Sequence, residues 1–194
     1  MDIAAYILLG ALLAFTGIYL WNRKLSFFAQ TPDDYAGLGP DVDIREHLNG
    51  EMVCEGVIYG PTGRVSARFS ADFNASWDGD QGRIQEVFRY DSGTTQNREW
   101  RLALAADGSI EAQADDVVGK GKGVQKGPSV LLTYDLRLPK ASGGHVLSAT
   151  DWMYLIEDGV IINRSQFRKF GFKVAELVAT IRPVVVQVER LDAA

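Results

Sequence analysis

The chain has 194 residues, 46% of them hydrophobic and 23% charged, with a formal net charge of -5. That is the make-up of one globular domain plus any targeting segment, long enough to bury a core. The acidic balance without a basic patch excludes nucleic acid as a partner, the lone Cys54 excludes an intramolecular disulfide, and two distant histidines, His47 and His145, supply no zinc ligand set.

The first element is IAAYILLGALLAFTGIYLW, Ile3 to Trp21, which carries no charge and is followed at once by Asn22-Arg23-Lys24. As a helix it would rise about 28 Å, close to the hydrocarbon core of a bilayer. A cleaved signal peptide needs a basic start and an A-x-A-like site, whereas Asp2 precedes this run and no such site closes it. Residues 1–24 are therefore expected to be a retained single-pass anchor, with Tyr6, Tyr19 and Trp21 at the interfaces. Arg23 and Lys24 favour a cytoplasmic position for the rest of the chain, by the positive-inside tendency. Residues 25–50 hold Pro32, Asp33-Asp34, Gly37, Gly39-Pro40 and Asn49-Gly50, which predict an extended tether with a short turn.

From Glu51 the pattern has period two, and residues 51–190 are expected to form one domain. In GRVSARFSADF, Val65, Ala67, Phe69, Ala71 and Phe73 share one face while Arg64, Ser66, Arg68, Ser70 and Asp72 share the other. Comparable runs predict strands near 51–59, 63–75, 83–91, 95–105, 109–117, 129–138, 145–156, 160–167 and 170–182. Turn residues such as Asp107-Gly108 and Gly143-Gly144 separate them. No amphipathic helix suited to a parallel crossover lies among them, so the fold class is all-β: an antiparallel up-and-down barrel of about nine or ten strands. The tail VVVQVERLDAA is expected to extend the last strand.

VGKGKGVQKG, Val118 to Gly127, lacks the phosphate-loop spacing and a following helix, and reads as an irregular strand or rim loop. DGDQG, Asp78 to Gly82, lacks the ligand set of a calcium loop. With no G-x-S-x-G, C-x-x-C or H-E-x-x-H in the chain, no metal or cofactor is expected.

Two hairpins carry charge where alternation calls for apolar residues. If Asp91-Ser92-Gly93 is a three-residue loop, Phe88 faces Gln96, Glu86 faces Arg98 and Ile84 faces Trp100. In DWMYLIEDGVIINRSQFRKFG, a two-residue Asp158-Gly159 turn sets Met153 opposite Arg164, with Asp151 diagonal to Arg164 and Asn163 beside it. These acid–arginine pairs either fix register inside a solid core or line a cavity. In a cavity they would meet a polar ligand group, with Trp100, Phe88, Met153 and Trp152 as apolar wall or mouth.

Together, DWMYL, NRSQFRKFG, KVAELVATIRP, YGPTGRVSARF, EVFRYDSG, REW and ADDVVGKGKG resemble a bacterial family known only as domain of unknown function thirty-eight thirty-three, over roughly residues 27 to 183. The resemblance implies a calycin-like or lipocalin-like barrel at the bacterial envelope and carries over no catalytic residue. Family members often neighbour lipid-modifying genes, and many look like lipoproteins, which points to the periplasmic side, against the lean of Arg23-Lys24. The expectation is a single-pass inner-membrane protein whose barrel binds a lipid-like amphiphile through Glu86, Arg98, Asp151, Asn163 and Arg164. The alternatives are a lipid-modifying enzyme using Glu86 or Asp151 with an arginine, and a non-catalytic assembly protein with a filled barrel. An arginine beside Glu86 is expected to lower its pKa and weaken it as a base.

Overall fold

The computed structural model describes residues 3–184. Helix α1, Ile3–Lys24, is followed by two 3-10 turns, Phe27–Ala29 and Pro32–Tyr35, and by the one-turn helix α2, Ile44–His47. Ten strands follow among the described residues: β1 Gly50–Tyr59, β2 Val65–Asp78, β3 Gln81–Tyr90, β4 Thr95–Leu104, β5 Ser109–Gln113, β6 Gly121–Lys126, β7 Ser129–Arg137, β8 Val146–Leu155, β9 Ile161–Lys169 and β10 Phe172–Pro183. Each pairs antiparallel with its sequence neighbour, and β1 pairs with β10 from Met52↔Pro183 to Tyr59↔Glu176, which closes the barrel. Closure leaves no edge among these strands to template association with another chain.

Alternation produces the interior. In β2, Phe69, Ala71, Phe73 and Ala75 are buried and the residues between them are exposed, as the period-two pattern requires. Val65, on the same face, is exposed because the strand rises past the core at the rim.

Strand β6 lies in the segment read from its glycines as an irregular strand or rim loop. It pairs with β7 from Lys122↔Thr133 to Lys126↔Ser129. A Cβ on Gly123 would lie 2.3 Å from Leu132 Cδ2, and one on Gly121 would lie 3.1 Å from Tyr134 Cβ. Glycine at these positions gives space to large interior residues of the neighbouring strand.

Residues 25–50, expected as an extended tether, lie along the barrel and then close one end of it. Arg168 sits 3.8 Å from the Phe28 ring centroid and Arg164 5.0 Å from that of Phe27. Tyr35 packs on Trp152 and Tyr154 at centroid distances of 5.5 and 5.4 Å. Farther along, Val42, Ile44 and Leu48 are buried in the core. They are fixed by Val42 N–H donating to Gly127 O (2.8 Å), Ile44 N–H to Gln125 Oε1 (3.1 Å) and Trp77 Nε1–H to Leu48 O (2.9 Å). Asp43 caps α2 by accepting from Arg45 N–H. One barrel end is thereby plugged, and the other, bounded by the ends of β1, β3, β7 and β9, is the mouth.

Helix α1 has an apolar run, Ile3–Trp21, long enough to cross a membrane, and none of that run is buried against the barrel. The predicted extension of β10 into the tail beyond Val184 lies outside the described residues.

Candidate functional site

The barrel interior holds two adjoining compartments. The inner chamber, about 120 Å³, is lined among others by Glu86, Arg98, Trp100, Asp151, Met153 and Asn163. The vestibule at the mouth, about 450 Å³, is walled mainly by apolar groups, including Ile58, Tyr90, Leu136, Leu138 and Leu147. Phe88, Arg98, Tyr134, Phe167 and Leu177 line both and stand between them.

The register of the β3–β4 hairpin follows the predicted loop. Gly93 has φ +83°, its N–H donates to Tyr90 O, and Glu86↔Arg98 and Ile84↔Trp100 are cross-strand pairs. The expected Glu86–Arg98 ion pair does not form, however. The Arg98 guanidinium turns to Asp116, with Nε 3.0 Å from Oδ2 and 3.1 Å from Oδ1. It also lies 4.1 Å from the Trp100 ring centroid and 5.7 Å from that of Tyr134. Asp116 comes from the link between β5 and β6, held in place by the Val117↔Leu136 bridge and by Arg137 N–H donating to Asp116 O.

Glu86 is consequently buried without a direct counter-ion. Loss of hydration pushes its carboxyl up to about 8, Arg98 opposes the rise, and Asp151 and Asp116 add to it. This reverses the expectation of a lowered value, because desolvation outweighs an arginine that does not touch the carboxylate. Glu86 Oε2 and Arg98 Nη2 are both buried with no hydrogen-bond partner. Such atoms are costly unless a ligand or water reaches them.

The second hairpin is shifted by one residue from its expected register. Ile156 N–H donates to Val160 O, so Glu157, Asp158 and Gly159 form a three-residue loop. Met153 then faces Asn163, Trp152 faces Arg164 and Asp151 faces Ser165. A one-residue shift moves every side chain to the other face of the sheet. The Asp151–Arg164 contact is therefore replaced: Asp151 accepts from Asn163 Nδ2 and from Ser165 Oγ (2.8 Å). Desolvation raises the Asp151 pKa, and those two hydrogen bonds oppose the rise.

Arg164 lies on the outer wall, paired with Glu176 at 2.6 Å. Trp152 is also on the outer wall, and its 1% exposure comes from the covering segment with Tyr35, not from the chamber. The structure thus brings Glu86, Phe88, Arg98, Trp100, Asp151, Met153 and Asn163 together and leaves Trp152 and Arg164 outside. Sequence reasoning missed Tyr134, Asp116 and Ser165. Tyr134 and Ser165 stood in the alternating pattern, while Asp116 carried no signal beyond a turn-like Asp-Asp.

Cys54 lines the chamber, where burial pushes its thiol up to about 12. A thiol so disposed is a small apolar wall group and a poor nucleophile. Among the described residues no cluster of three or more His, Cys, Asp or Glu is placed to hold a metal ion.

Solved structures that share the barrel include two that each align with about three quarters of this chain. The S-type phycobiliprotein lyase CPES from Guillardia theta matches with a TM-score of 0.56 at 10% identity, over 74% of this chain and 92% of that one. A protein of unknown function from the DUF3598 family of Nostoc punctiforme matches with a TM-score of 0.51 at 14% identity, over 75% of this chain and 51% of that one. At such identities the likeness is one of fold, a lipocalin-like barrel. No curated protein matches the chain. Residues 24–183 match the family described as Protein of unknown function (DUF3833), and the chain belongs to that family.

Proposed function

We propose that this protein is a membrane-anchored barrel that binds a lipid-like amphiphile, with the acyl portion in the vestibule and the polar end against Glu86 and Arg98. The observation that carries the reading is an apolar mouth of about 450 Å³ adjoining a chamber that holds two unpartnered buried polar atoms. The volume falls within the range of small-molecule sites, and an apolar cleft ending in a few convergent polar groups is the usual form of such sites. The anchor is the apolar run of α1, which keeps the barrel beside its ligand's source in the bacterial inner membrane. An interior that retains open space counts against the filled-barrel alternative.

The test is mass spectrometry of lipid extracted from full-length protein purified in detergent, compared with a Glu86→Leu, Arg98→Met double variant. A folded double variant should lose the co-purifying lipid. Equal occupancy of the same lipid would overturn the assignment of these two residues to the ligand.

A second reading is favoured by one observation, the carboxyl of Glu86 at about 8. Such a group holds a proton at neutral pH and releases it within the range useful to a general acid. One protein of this fold is a lyase by name, so the architecture accommodates chemistry as well as holding. Under this reading Glu86→Gln binds the extracted lipid normally but fails to convert it. Unchanged lipid after incubation with wild-type protein would remove the catalytic reading.

A further inference from the structure

We infer that the barrel docks mouth-down on an anionic lipid bilayer, with the β9–β10 turn inserted into the interface so that the vestibule opens directly into the leaflet. The inference rests on the anchored, amphiphile-binding reading above and adds an orientation and an interaction surface to it.

The first observation is where apolar groups are left in water. Phe170 and Phe172 are 89% and 77% exposed and flank Gly171 at the tip of the β9–β10 turn. Val65, Val118 and Val146 are also exposed, and all three stand at strand ends or links on the mouth rim. On the plugged end the core is covered by Val42, Ile44 and Leu48; Leu38, Ile156 and Val184 are exposed there as well, so it is the two exposed aromatic rings that set the mouth apart. Exposed apolar side chains at the rim of an open cavity mark an interaction surface, and Phe side chains bury favourably at the boundary of headgroups and acyl chains.

The second observation is charge. At the mouth, Arg64, Arg137 and Lys140 are exposed and in no ion pair among the described residues. The rim carboxylates Asp91 and Asp115 are each tied to an arginine, Arg68 and Arg101, and Asp135 stands nearby without one. At the plugged end, Asp34, Asp41, Glu46, Asp78, Asp107 and Glu157 are exposed and likewise in no ion pair among the described residues. An anionic surface attracts the first end and repels the second.

The third observation is the path of the chain. The apolar run ends at Trp21, and Phe28 already lies against Arg168, one residue from the mouth end of β9. Three helical and four extended residues span at most about 18 Å, less than the roughly 25 Å height of a barrel with tilted ten-residue strands. The segment meets the outer wall near the mouth and has reached the plugged end by Asp33, which pairs with Lys126 at 2.5 Å, and by Tyr35, which lies against Gly127. Anchor, basic charge and exposed aromatics therefore coincide at the open end. A chain from the leaflet could pass into the vestibule without crossing water, as either one or two acyl tails of a membrane lipid.

The test uses full-length protein with a single introduced cysteine, Phe172→Cys at the rim or Asp78→Cys at the plugged end, each labelled with an environment-sensitive nitrobenzoxadiazole dye. Cys54 is buried with its thiol raised to about 12, so it stays unlabelled. The protein is reconstituted into phosphatidylcholine vesicles with or without phosphatidylglycerol, some containing nitroxide-labelled acyl chains, and carbonate extraction reports on the anchor. The rim label is expected to shift to the blue and lose fluorescence to the nitroxides in phosphatidylglycerol vesicles. The label at residue 78 should do neither, and Phe170→Ser should reduce the rim effect.

Equal behaviour of the two labels in protein that carbonate does not strip would overturn docking and leave the anchor standing. Rim quenching in protein that carbonate strips would overturn the anchor and support docking. Stripping without quenching would overturn both. Rim quenching indifferent to phosphatidylglycerol and to high salt would overturn the anionic surface as the partner.

Discussion

Replacing Glu86 by glutamine tests the electrostatics of the chamber independently of any ligand. A carboxyl raised from 4.5 to about 8 keeps its proton in the folded chain at pH values where the unfolded chain has released it. Above 4.5 the unfolded state binds fewer protons, so stability falls as pH rises and levels off once pH passes the folded value. Each pH unit between the two values is worth about 1.36 kcal/mol, giving a total on the order of 5 kcal/mol and roughly 3 kcal/mol of it by pH 7.

Glutamine has the same shape and no titration, so it removes this slope. Its amide would meet the same unpartnered surroundings as Glu86 Oε2, at a cost of about 1–3 kcal/mol that does not vary with pH. The constant offset is therefore uninformative and the slope is the measurement. Urea unfolding of both full-length proteins in detergent, followed by tryptophan fluorescence from pH 5.5 to pH 9, should show wild type losing stability relative to Glu86→Gln by about 1.4 kcal/mol per pH unit. The loss should cease above about pH 8, where the folded carboxyl itself ionises. Parallel curves would refute the reasoning and mean that Glu86 is ionised with ordinary hydration in the folded barrel.

Two further substitutions separate the outer wall from the chamber. Arg164→Ala removes an exterior ion pair with Glu176 and a contact with Phe27, while Lys173 remains 2.6 Å from Glu176; chemical denaturation should show a loss of about 1 kcal/mol or less, and lipid occupancy should not change. Trp152→Ala deletes a side chain buried beneath Tyr35 and should cost about 3–5 kcal/mol, with new protease cleavage between residues 25 and 43 and no loss of lipid at temperatures where the barrel remains folded. Loss of lipid in Arg164→Ala would return that residue to the ligand.

The contrast between the two hairpins shows how far the sequence could be read. In the first, Gly93 takes the left-handed conformation that a three-residue loop requires, and the pairing of Glu86 with Arg98 follows from counting outward. In the second, Asp158 and Gly159 both take positive φ, at 60° and 71°, as a two-residue turn would demand. Yet Glu157 joins the loop and the register moves by one. The shift puts Asn163 in the chamber and Arg164 outside, which exchanges a buried guanidinium for a neutral amide that donates to Asp151. The desolvation cost of a charge decides between two registers that local turn chemistry leaves nearly balanced. Periodicity revealed the strands because burial acts on whole faces. It left β6 open between an irregular strand and a rim loop, because Gly121 and Gly123 serve the bulk of Tyr134 and Leu132 on the adjacent strand.

The same limit applies to the charge at the centre of the site. Alternation placed Glu86 and Arg98 on one interior face, and proximity suggested mutual neutralisation. Asp116, delivered from a link with no pattern of its own, captures the guanidinium at 3.0 Å and leaves Glu86 to resolve its burial by holding a proton. A chamber containing a neutral acid and an arginine with one free nitrogen presents two donors and the acid's carbonyl oxygen to whatever enters. That combination suits a polar group with exposed oxygens, and above about pH 8 the newly formed carboxylate would repel an anionic one. Under the proposed function, an anionic head group is therefore expected to be retained at neutral pH and released above about pH 8, and lipid extraction from detergent-purified protein across that range would check it. Equal occupancy at both ends of the range would count against Asp116 having displaced Glu86 as the partner of Arg98.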